Sequence, residues 1–400
     1  MDSSFFDVAV VGAGPAGSSA AAILSRKGFK VALFDRRAKI GVPVQCGELL
    51  PTPSEIRDIF PRSKYIPKLV DVRSEFVTNR TSQIMLISPD GHGVEFDFKT
   101  NIIDRAKYDS YLVEQACNAS CELHLSSLVT GRSSANRLSV KTQSGSKEMQ
   151  STIVVGADGP NSLISKTIDN NYADIDRDLS LSLNYVMRGV DCDEEKVLMF
   201  FGRNIAPGGY FWIIPKGDSL ANVGFGLRRS LSAPHVSLTS HMKHFITKNA
   251  IAAPMLRNAK IQSRVGALIP VAGSVDRSYS DSVVLVGDAA GHVMPSNGGG
   301  IPQALGDGYI AGHVISSHFE KGTELSFYEK IWRNEFGRQL DVALSVLRIA
   351  DSVMVSDPLT NVCMRLAGRQ FLEPLIRCRL PIPVEFISKT FVRAFNALMN

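Results

Sequence analysis

Six residues near the amino terminus, Gly12-Ala13-Gly14-Pro15-Ala16-Gly17, constrain the fold more than any other stretch of the chain. They follow a short β-branched run, residues 7–11 (DVAVV), and lead into an Ala-rich segment of helical character, residues 16–27. A run of that kind reads as a buried parallel strand. Gly12 permits the tight turn, Gly14 lets a pyrophosphate approach the backbone, and Gly17 lets helix and strand pack closely. The free N–H groups and positive dipole end of the helix then face the phosphates. A second strand, residues 30–34 (KVALF), ends at Asp35, 18 residues beyond Gly17. A carboxylate at that place accepts from ribose hydroxyls. Arg36 beside it is assigned to the same cofactor site. Strand, helix, strand and acid together predict a dinucleotide-binding βαβ unit.

The 400 residues suffice for two or three domains. Apolar residues make up 44% and charged residues 21%, which excludes a disordered chain, a collagen and a disulfide-packed miniprotein. The net charge of +5 comes from scattered basic residues, so no nucleic-acid partner is expected. The six cysteines form no CxxC pair, which fits free thiols in a reducing cytoplasm. The start, MDSSFFDVAVVGAG, lacks a basic region followed by an apolar one, so no signal peptide is read. No stretch approaches the 18–20 uninterrupted apolar residues of a membrane span.

Along the chain, residues 36–68 are rich in Pro and read as loop, and residues 69–99 alternate as antiparallel sheet around the turn Pro89-Asp90-Gly91. Residues 104–119 have helical spacing, and 122–155 return to strand. Residues 172–265 are strand-dominated, interrupted by a helical piece at roughly 236–257. Residues 282–287 (SVVLVG) form a further buried strand, followed by helix at 300–320 and a mostly helical remainder. The last forty residues carry six Lys/Arg against Glu373 and Glu385. Phe386, Ile387, Phe391, Val392, Phe395 and Leu398 lie among them at helical spacing, as in a helix docked on the body or resting on a lipid surface.

Two more motifs sit at strand ends. Gly287-Asp288-Ala289-Ala290-Gly291-His292 follows the strand SVVLV. A carboxylate there either caps a helix or hydrogen-bonds a polyol. Paired with the amino-terminal glycine motif it points to FAD, whose ribityl chain needs such a contact and which NAD lacks. Ala157-Asp158-Gly159 closes the strand ending at Gly156. His241 and His244 share a helix face but have no further acid or Cys at ligand spacing, so no metal site is expected.

GxGxxG, GADG and GDAAG in this order resemble the FAD-dependent oxidoreductases of the 4-hydroxybenzoate hydroxylase fold. Pro43-Val44-Gln45-Cys46-Gly47-Glu48 is similar to a loop of the archaeal geranylgeranyl reductases. Pro207-Gly208-Gly209-Tyr210-Phe211-Trp212-Ile213-Ile214-Pro215-Lys216 is similar to their P-x-x-Y-x-W-x-F-P-K stretch, with Ile214 where Phe is common. Pro295-Ser296-Asn297-Gly298-Gly299-Gly300-Ile301 resembles their flavin-facing loop. The resemblance implies an α/β chain with a discontinuous Rossmann-like FAD-binding domain (1–70, 100–171 and 266–335). It adds an antiparallel-sheet substrate domain (71–99 and 172–265) and a C-terminal helical region (336–400).

It also implies roles. Arg105 lies near the FAD phosphates, and Ala157, Asp158, Gly159, Gly287 and Asp288 contact the cofactor. The N–H groups of Gly298, Gly299 and Gly300, with Ile301 next, face the flavin N1–O2 edge. Cys46, a loop thiol before Gly47, approaches the flavin face. Near its ordinary pKa of about 8.5 a thiol keeps its proton at neutral pH and suits a proton donor. Tyr210 and Trp212 share one face of a strand and read as a core pair or as a wall of a lipid slot. The implied activity is saturation of geranylgeranyl chains in archaeal membrane lipids. It needs an isoprenoid lipid substrate and an external electron donor such as ferredoxin, NADPH or a reduced deazaflavin. The expected place is the cytoplasm, with a peripheral contact on the inner membrane face. A monooxygenase or halogenase of the same fold, or a non-catalytic prenyl-chain carrier, are the alternatives.

Overall fold

A computed structural model of the chain describes residues 5–133, 136–170, 179–232 and 237–379. The apolar residues noted between 386 and 398 lie outside the described residues.

The first sheet has seven strands. Its path runs Glu122–His124, Val31–Phe34, Phe5–Val11, Gly145–Gly156, Arg137–Thr142 and Leu128–Arg132, and Val283–Leu285 pairs alongside Gly145–Gly156. Strands Phe5–Val11 and Val283–Leu285 are parallel to their neighbour, and their inner residues are fully buried, as the continuous β-branched runs require. The register is level at one end. Val11 pairs with Phe34 and with Gly156, and Gly156 pairs with Leu285. The glycine turn, Asp35, Ala157-Asp158-Gly159 and Gly287-Asp288 therefore all emerge from the carboxyl edge, where open α/β sheets bind ligands.

The second sheet has eight strands in the order Lys260–Pro270, Leu179–Arg188, Leu220–Arg228, Tyr210–Gly217, Lys196–Phe200, Val77–Ile87, Gly93–Ile103 and Leu49–Pro51. The last of these comes from the Pro-rich stretch read as loop. Three residues paired to Thr100–Ile102 leave too short a period for sequence to register. One face of this sheet carries Phe211, Ile213, Val223 and Phe225, buried against the helices Leu238–Lys248 and Ala252–Leu256. His241 is half-buried there against Phe211.

Helix Pro15–Arg26 packs on helix Ile301–Lys321 with almost no space between backbones. A Cβ on Gly308 would lie 2.1 Å from the Ala16 carbonyl oxygen, and one on Gly312 would lie 2.7 Å from Ile23 Cβ. Ala20 and Ala21 opposite are fully buried. Helices Ser326–Trp332, Arg338–Val353 and Asp357–Ile376 follow, the last kinked at Gly368, whose φ is 53°. Among the described residues no helix is long and apolar enough to cross a membrane.

Gly308→Ala adds a methyl where backbone already stands. The clash outweighs the roughly 1 kcal/mol that Ala gains over Gly in a helix, for a net loss of about 2 kcal/mol. Urea unfolding measures it, and an unchanged midpoint would show that the helices do not approach this closely.

Candidate active site

A cavity of ≈ 360 Å³ opens at the meeting of the two sheets. Its polar end is the carboxyl edge of the first sheet. Gly14, Pro15 and Ala16 line it, with Ala157, Gly159, Gly287 and Asp288 beside them. Gly298, Gly299, Gly300 and Ile301 close that end. The middle is formed by Cys46, Gly47, Arg105, Tyr210 and Trp212. The far end is aliphatic and aromatic, from Ile56, Ile59, Phe60, Ile84, Phe98 and Ile376.

The glycine turn is built for close approach. Gly12 has φ of 107°, and a Cβ there would lie 2.1 Å from the Ala157 carbonyl oxygen. A Cβ on Gly17 would lie 1.9 Å from the Gly12 carbonyl oxygen. Gly14, by contrast, faces open space with nothing within 4 Å. Helix Pro15–Arg26 has no side-chain cap, so its first N–H groups point free into that space. Ala13 is buried behind the turn, and its N–H donates to Asp35 Oδ2 at 2.9 Å.

Asp35 is more fully engaged than its sequence position suggests. Oδ1 accepts from the Arg37 backbone N and Nε at 2.8 and 2.9 Å, and Oδ2 accepts from Ala13 N and Arg37 Nη2 at 2.9 and 2.8 Å. Those four donors fill the acceptor capacity of a carboxylate. Burial alone raises the Asp35 pKa, and the Arg37 pair overrides it, so the net shift is downward. Arg36 points to solvent, and Arg37 is the neighbour that holds the acid. Asp158 also faces away from the cavity. Its carboxylate accepts from Ser162 Oγ and from the N–H groups of Leu163 and Ile164, capping the short helix Leu163–Lys166.

Asp288 behaves differently. Among the described residues its carboxylate finds no hydrogen-bond partner, and burial pushes its pKa up to about 6 against the pull of Arg105. A Cβ on Gly300 would stand 3.6 Å from Asp288 Oδ1, so the acid and the glycine loop share one wall. In that loop the Gly298 N–H donates to Met294 O at 2.8 Å and the Gly299 N–H to Asn297 Oδ1 at 2.9 Å. The N–H groups of Gly300 and Ile301 remain at the uncapped start of helix Ile301–Lys321. An open glycine cradle, two uncapped helix starts and an unpartnered acid along one cavity wall fit a dinucleotide with a polyol chain.

Cys46 sits on the loop between the two sheets. Its Sγ accepts from the Glu48 N–H at 3.1 Å. Burial raises its pKa, with Arg105 and the Glu48 N–H pulling the other way, and the net shift is upward. Arg105 is held as a fork on Asp109, at 2.8 and 3.0 Å. Tyr210, Trp212 and Ile214 face the cavity as alternate residues of one strand, and the Tyr210 and Trp212 ring centroids lie 5.8 Å apart. The Tyr210 hydroxyl donates to Asn297 O at 2.5 Å, tying the second sheet to the glycine loop.

Sequence reasoning missed several groups. Buried Glu48, itself at φ 65°, pairs with Lys216 Nζ, so the last residues of the two quoted motifs meet on the second sheet. Asn222 bridges Trp212 and the Cys46 loop. Behind Gly287, Asp307 accepts from the Gly287 N–H at 2.9 Å and from His292 Nδ1 at 2.6 Å, both buried. Glu48 and Lys216 had a signal, since they end motifs already singled out; Asn222, Asp307 and Arg37 had none.

Comparison with known proteins places these features. A family model described as geranylgeranyl reductase catalytic domain matches residues 178–268, and one described as NAD(P)-binding Rossmann-like domain matches residues 10–53. Digeranylgeranylglycerophospholipid reductase 2 of Methanopyrus kandleri is 33% identical over 353 residues, covering 86% of this chain and 86% of that protein. The protein of the same name from Methanothermobacter thermautotrophicus is 32% identical, covering 87% of this chain and 88% of that protein. Among solved structures, a geranylgeranyl bacteriochlorophyll reductase-like protein of Thermoplasma acidophilum superposes with a TM-score of 0.76 at 24% identity, covering 93% of this chain and 99% of that one. A flavin-dependent brominase superposes with a TM-score of 0.73 at 15% identity, covering 98% and 100%, which shows a shared fold alone.

The raised pKa of Asp288 gives a stability prediction. The folded protein holds this proton from the unfolded value near 3.8 up to about 6, so ligand-free stability falls as pH rises through that window. Asp288→Asn should melt higher than wild type at pH 8, with the advantage gone near pH 4. Thermal melts of ligand-stripped protein check it, and an equal melting point at pH 8 contradicts it.

Proposed function

This chain belongs to the digeranylgeranylglycerophospholipid reductase family, and on that premise we propose that it saturates the C=C bonds of geranylgeranyl chains on archaeal ether phospholipids, as an FAD-dependent oxidoreductase. One observation carries the reading. A single cavity runs from a phosphate- and polyol-binding edge, past a protonated thiol, to an aliphatic end. A dinucleotide cofactor suits the first part and a hydrocarbon suits the last. The monooxygenase, halogenase and carrier alternatives have no comparable support, since the halogenating neighbours share the fold alone.

FAD, once reduced, supplies the hydride equivalent for the alkene. Gly14, Ala16 and the uncapped helix start would hold its phosphates; Asp288 and the N–H groups of Gly300 and Ile301 would hold its polyol and ring edge. The ribose contact at Asp35 requires the Arg37 fork to turn aside, and Arg37 is partly exposed. Cys46 Sγ holds the proton that the second alkene carbon needs. Burial keeps the thiol protonated at neutral pH, and Arg105 nearby steadies the thiolate left after transfer. Tyr210 and Trp212 wall the slot and exclude water, and their faces favour positive charge developing on the alkene. Each double bond consumes two electrons, so an external donor is required; ferredoxin, NADPH and a reduced deazaflavin are the candidate classes.

The chain rests on a lipid surface through helix Asp357–Ile376. Val362, Leu366 and Phe371 on this helix are exposed at 52, 81 and 47%. Its last residue, Ile376, lines the aliphatic end of the cavity. The last forty residues carry the basic excess that suits an anionic surface.

Two experiments test these readings. Anaerobic incubation of reduced holoprotein with geranylgeranyl phospholipid should give a ladder of mass steps of about 2 Da per saturated bond. Cys46→Ala should slow it about 100-fold or more, the usual range for a lost general acid, without changing the bound-flavin spectrum. Bound flavin with no mass step would sink the substrate assignment. Leu366→Asp should reduce co-sedimentation with phosphatidylglycerol vesicles while reduction of detergent-dispersed lipid continues. Unchanged sedimentation would remove this helix from the interface.

A further inference from the structure

Strand Leu220–Arg228 presents an unusual face to the cavity side of the second sheet. Its residues there alternate Asn222, Gly224 and Gly226, paired to Ile214, Trp212 and Tyr210 on the neighbouring strand. Val223 and Phe225 between them point to the opposite core. The glycine leaves room for an indole lying on the sheet. A Cβ on Gly224 would stand 2.4 Å from Trp212 Cζ2 and 2.8 Å from Asn184 Cβ. Any other residue at 224 would lift the ring.

Asn222 is fully buried and spends its amide in two directions. Its Oδ1 accepts from Trp212 Nε1 at 2.8 Å, and its Nδ2 donates to the Cys46 carbonyl oxygen at 2.9 Å. Trp212 belongs to the sheet, whereas Cys46 belongs to the loop entering strand Leu49–Pro51. The same loop is pinned two residues later by Glu48, which takes Lys216 from the strand of Trp212.

We infer that Asn222 is a positioning residue that locks the Trp212 indole and the Cys46 loop into one geometry, so that the aromatic wall and the thiol face the cavity at a fixed separation. It does not line the cavity and acts through Cys46 and Trp212. The role in reduction rests on the reductase reading; the coupling itself does not.

Alkylation separates the two. Iodoacetamide labelling of holoprotein, followed by peptide mass spectrometry, reports Cys46 against the buried Cys121 and Cys378 as internal references. Asn222→Leu removes both bonds. Asn222→Asp keeps an acceptor for the indole but sets a carboxylate against the Cys46 carbonyl. Both should label Cys46 about tenfold faster than wild type, the scale of one lost buried hydrogen bond, with Cys121 and Cys378 unchanged. Trp212→Phe, approached from the other side, should raise the same rate and supplies the comparison if Asn222→Leu does not fold. Trp fluorescence should shift in Asn222→Leu and stay near wild type in Asn222→Asp. In the reduction assay, kcat should fall in both variants more than KM moves.

An unchanged Cys46 rate in the folded variants overturns the inference. So does a parallel rise at Cys121 and Cys378, which marks general loosening. Faster Cys46 labelling in a protein that reduces no geranylgeranyl lipid keeps the coupling and sinks the reductase reading. Normal labelling in variants of a working reductase does the reverse.

Discussion

The approach of helix Pro15–Arg26 to helix Ile301–Lys321 sets the geometry of the cofactor edge. Nearly three hundred residues separate the two helices in the chain, and Ser19 Oγ still donates to the Leu305 carbonyl oxygen at 3.1 Å. Gly308 and Gly312 on one side and Ala16 and Ala20 on the other make this distance possible, because no larger side chain fits between the backbones. The consequence reaches both motifs. Gly14 stands at the start of the first helix, and Gly300 and Ile301 stand at the start of the second. Two positive helix ends are thereby brought to one cavity wall, where a single anionic ligand can use both.

A second joint fixes the Cys46 loop to the second sheet. Glu48 is buried in a left-handed backbone conformation that a glutamate adopts at a cost of about 1–3 kcal/mol. Lys216 pairs with it, and breaking such a pair leaves an uncompensated buried charge. The Arg105 N–H donates to Glu48 Oε1 at 3.4 Å, which brings the Arg105–Asp109 fork to the same loop. The thiol thus sits near two ion pairs whose charges are already matched. The Arg105 guanidinium favours its thiolate and the Glu48 carboxylate opposes it, which leaves burial as the deciding influence. This is how a cysteine can lie beside an arginine and still keep its proton.

The elements with strong local signals were legible in the sequence. Strand Phe5–Val11, the glycine turn and helix Pro15–Arg26 follow from β-branched run, glycine spacing and alanine content, and strand Val283–Leu285 follows from its apolar run. Tyr210 and Trp212 share a face because strand period dictates it. What stayed hidden depends on tertiary pairing. Arg36 and Arg37 are indistinguishable as a dipeptide, and only the turn after the second strand aims Arg37 at Asp35. Asp158 looks like a cofactor contact by its motif, yet a four-residue helix five positions on consumes its oxygens. Asn222 carries no local pattern at all; its meaning comes from a partner 176 residues away.

Several open groups of the molecule gather around one cavity. Asp288 is a half-buried acid with no donor among the described residues, helices Pro15–Arg26 and Ile301–Lys321 start without side-chain caps, and Glu48 holds a strained backbone, all around the same cavity. Other groups of the same kinds are satisfied within the chain. Asp158, Asp307 and Asp35 all find donors, and helices Arg105–Cys117 and Leu238–Lys248 carry Asp104 and Ser237 as caps. Asp288 and the two uncapped helix starts are an acceptor and donors that a bound dinucleotide can complete. A ligand that does so binds the folded state alone and stabilises it by mass action. The same omissions that weaken this edge in isolation therefore select, by complementarity, an anionic ligand with a polyol for its polar end. The aliphatic far end, where Ile56, Phe60 and Phe98 offer no hydrogen bond, is left for a hydrocarbon.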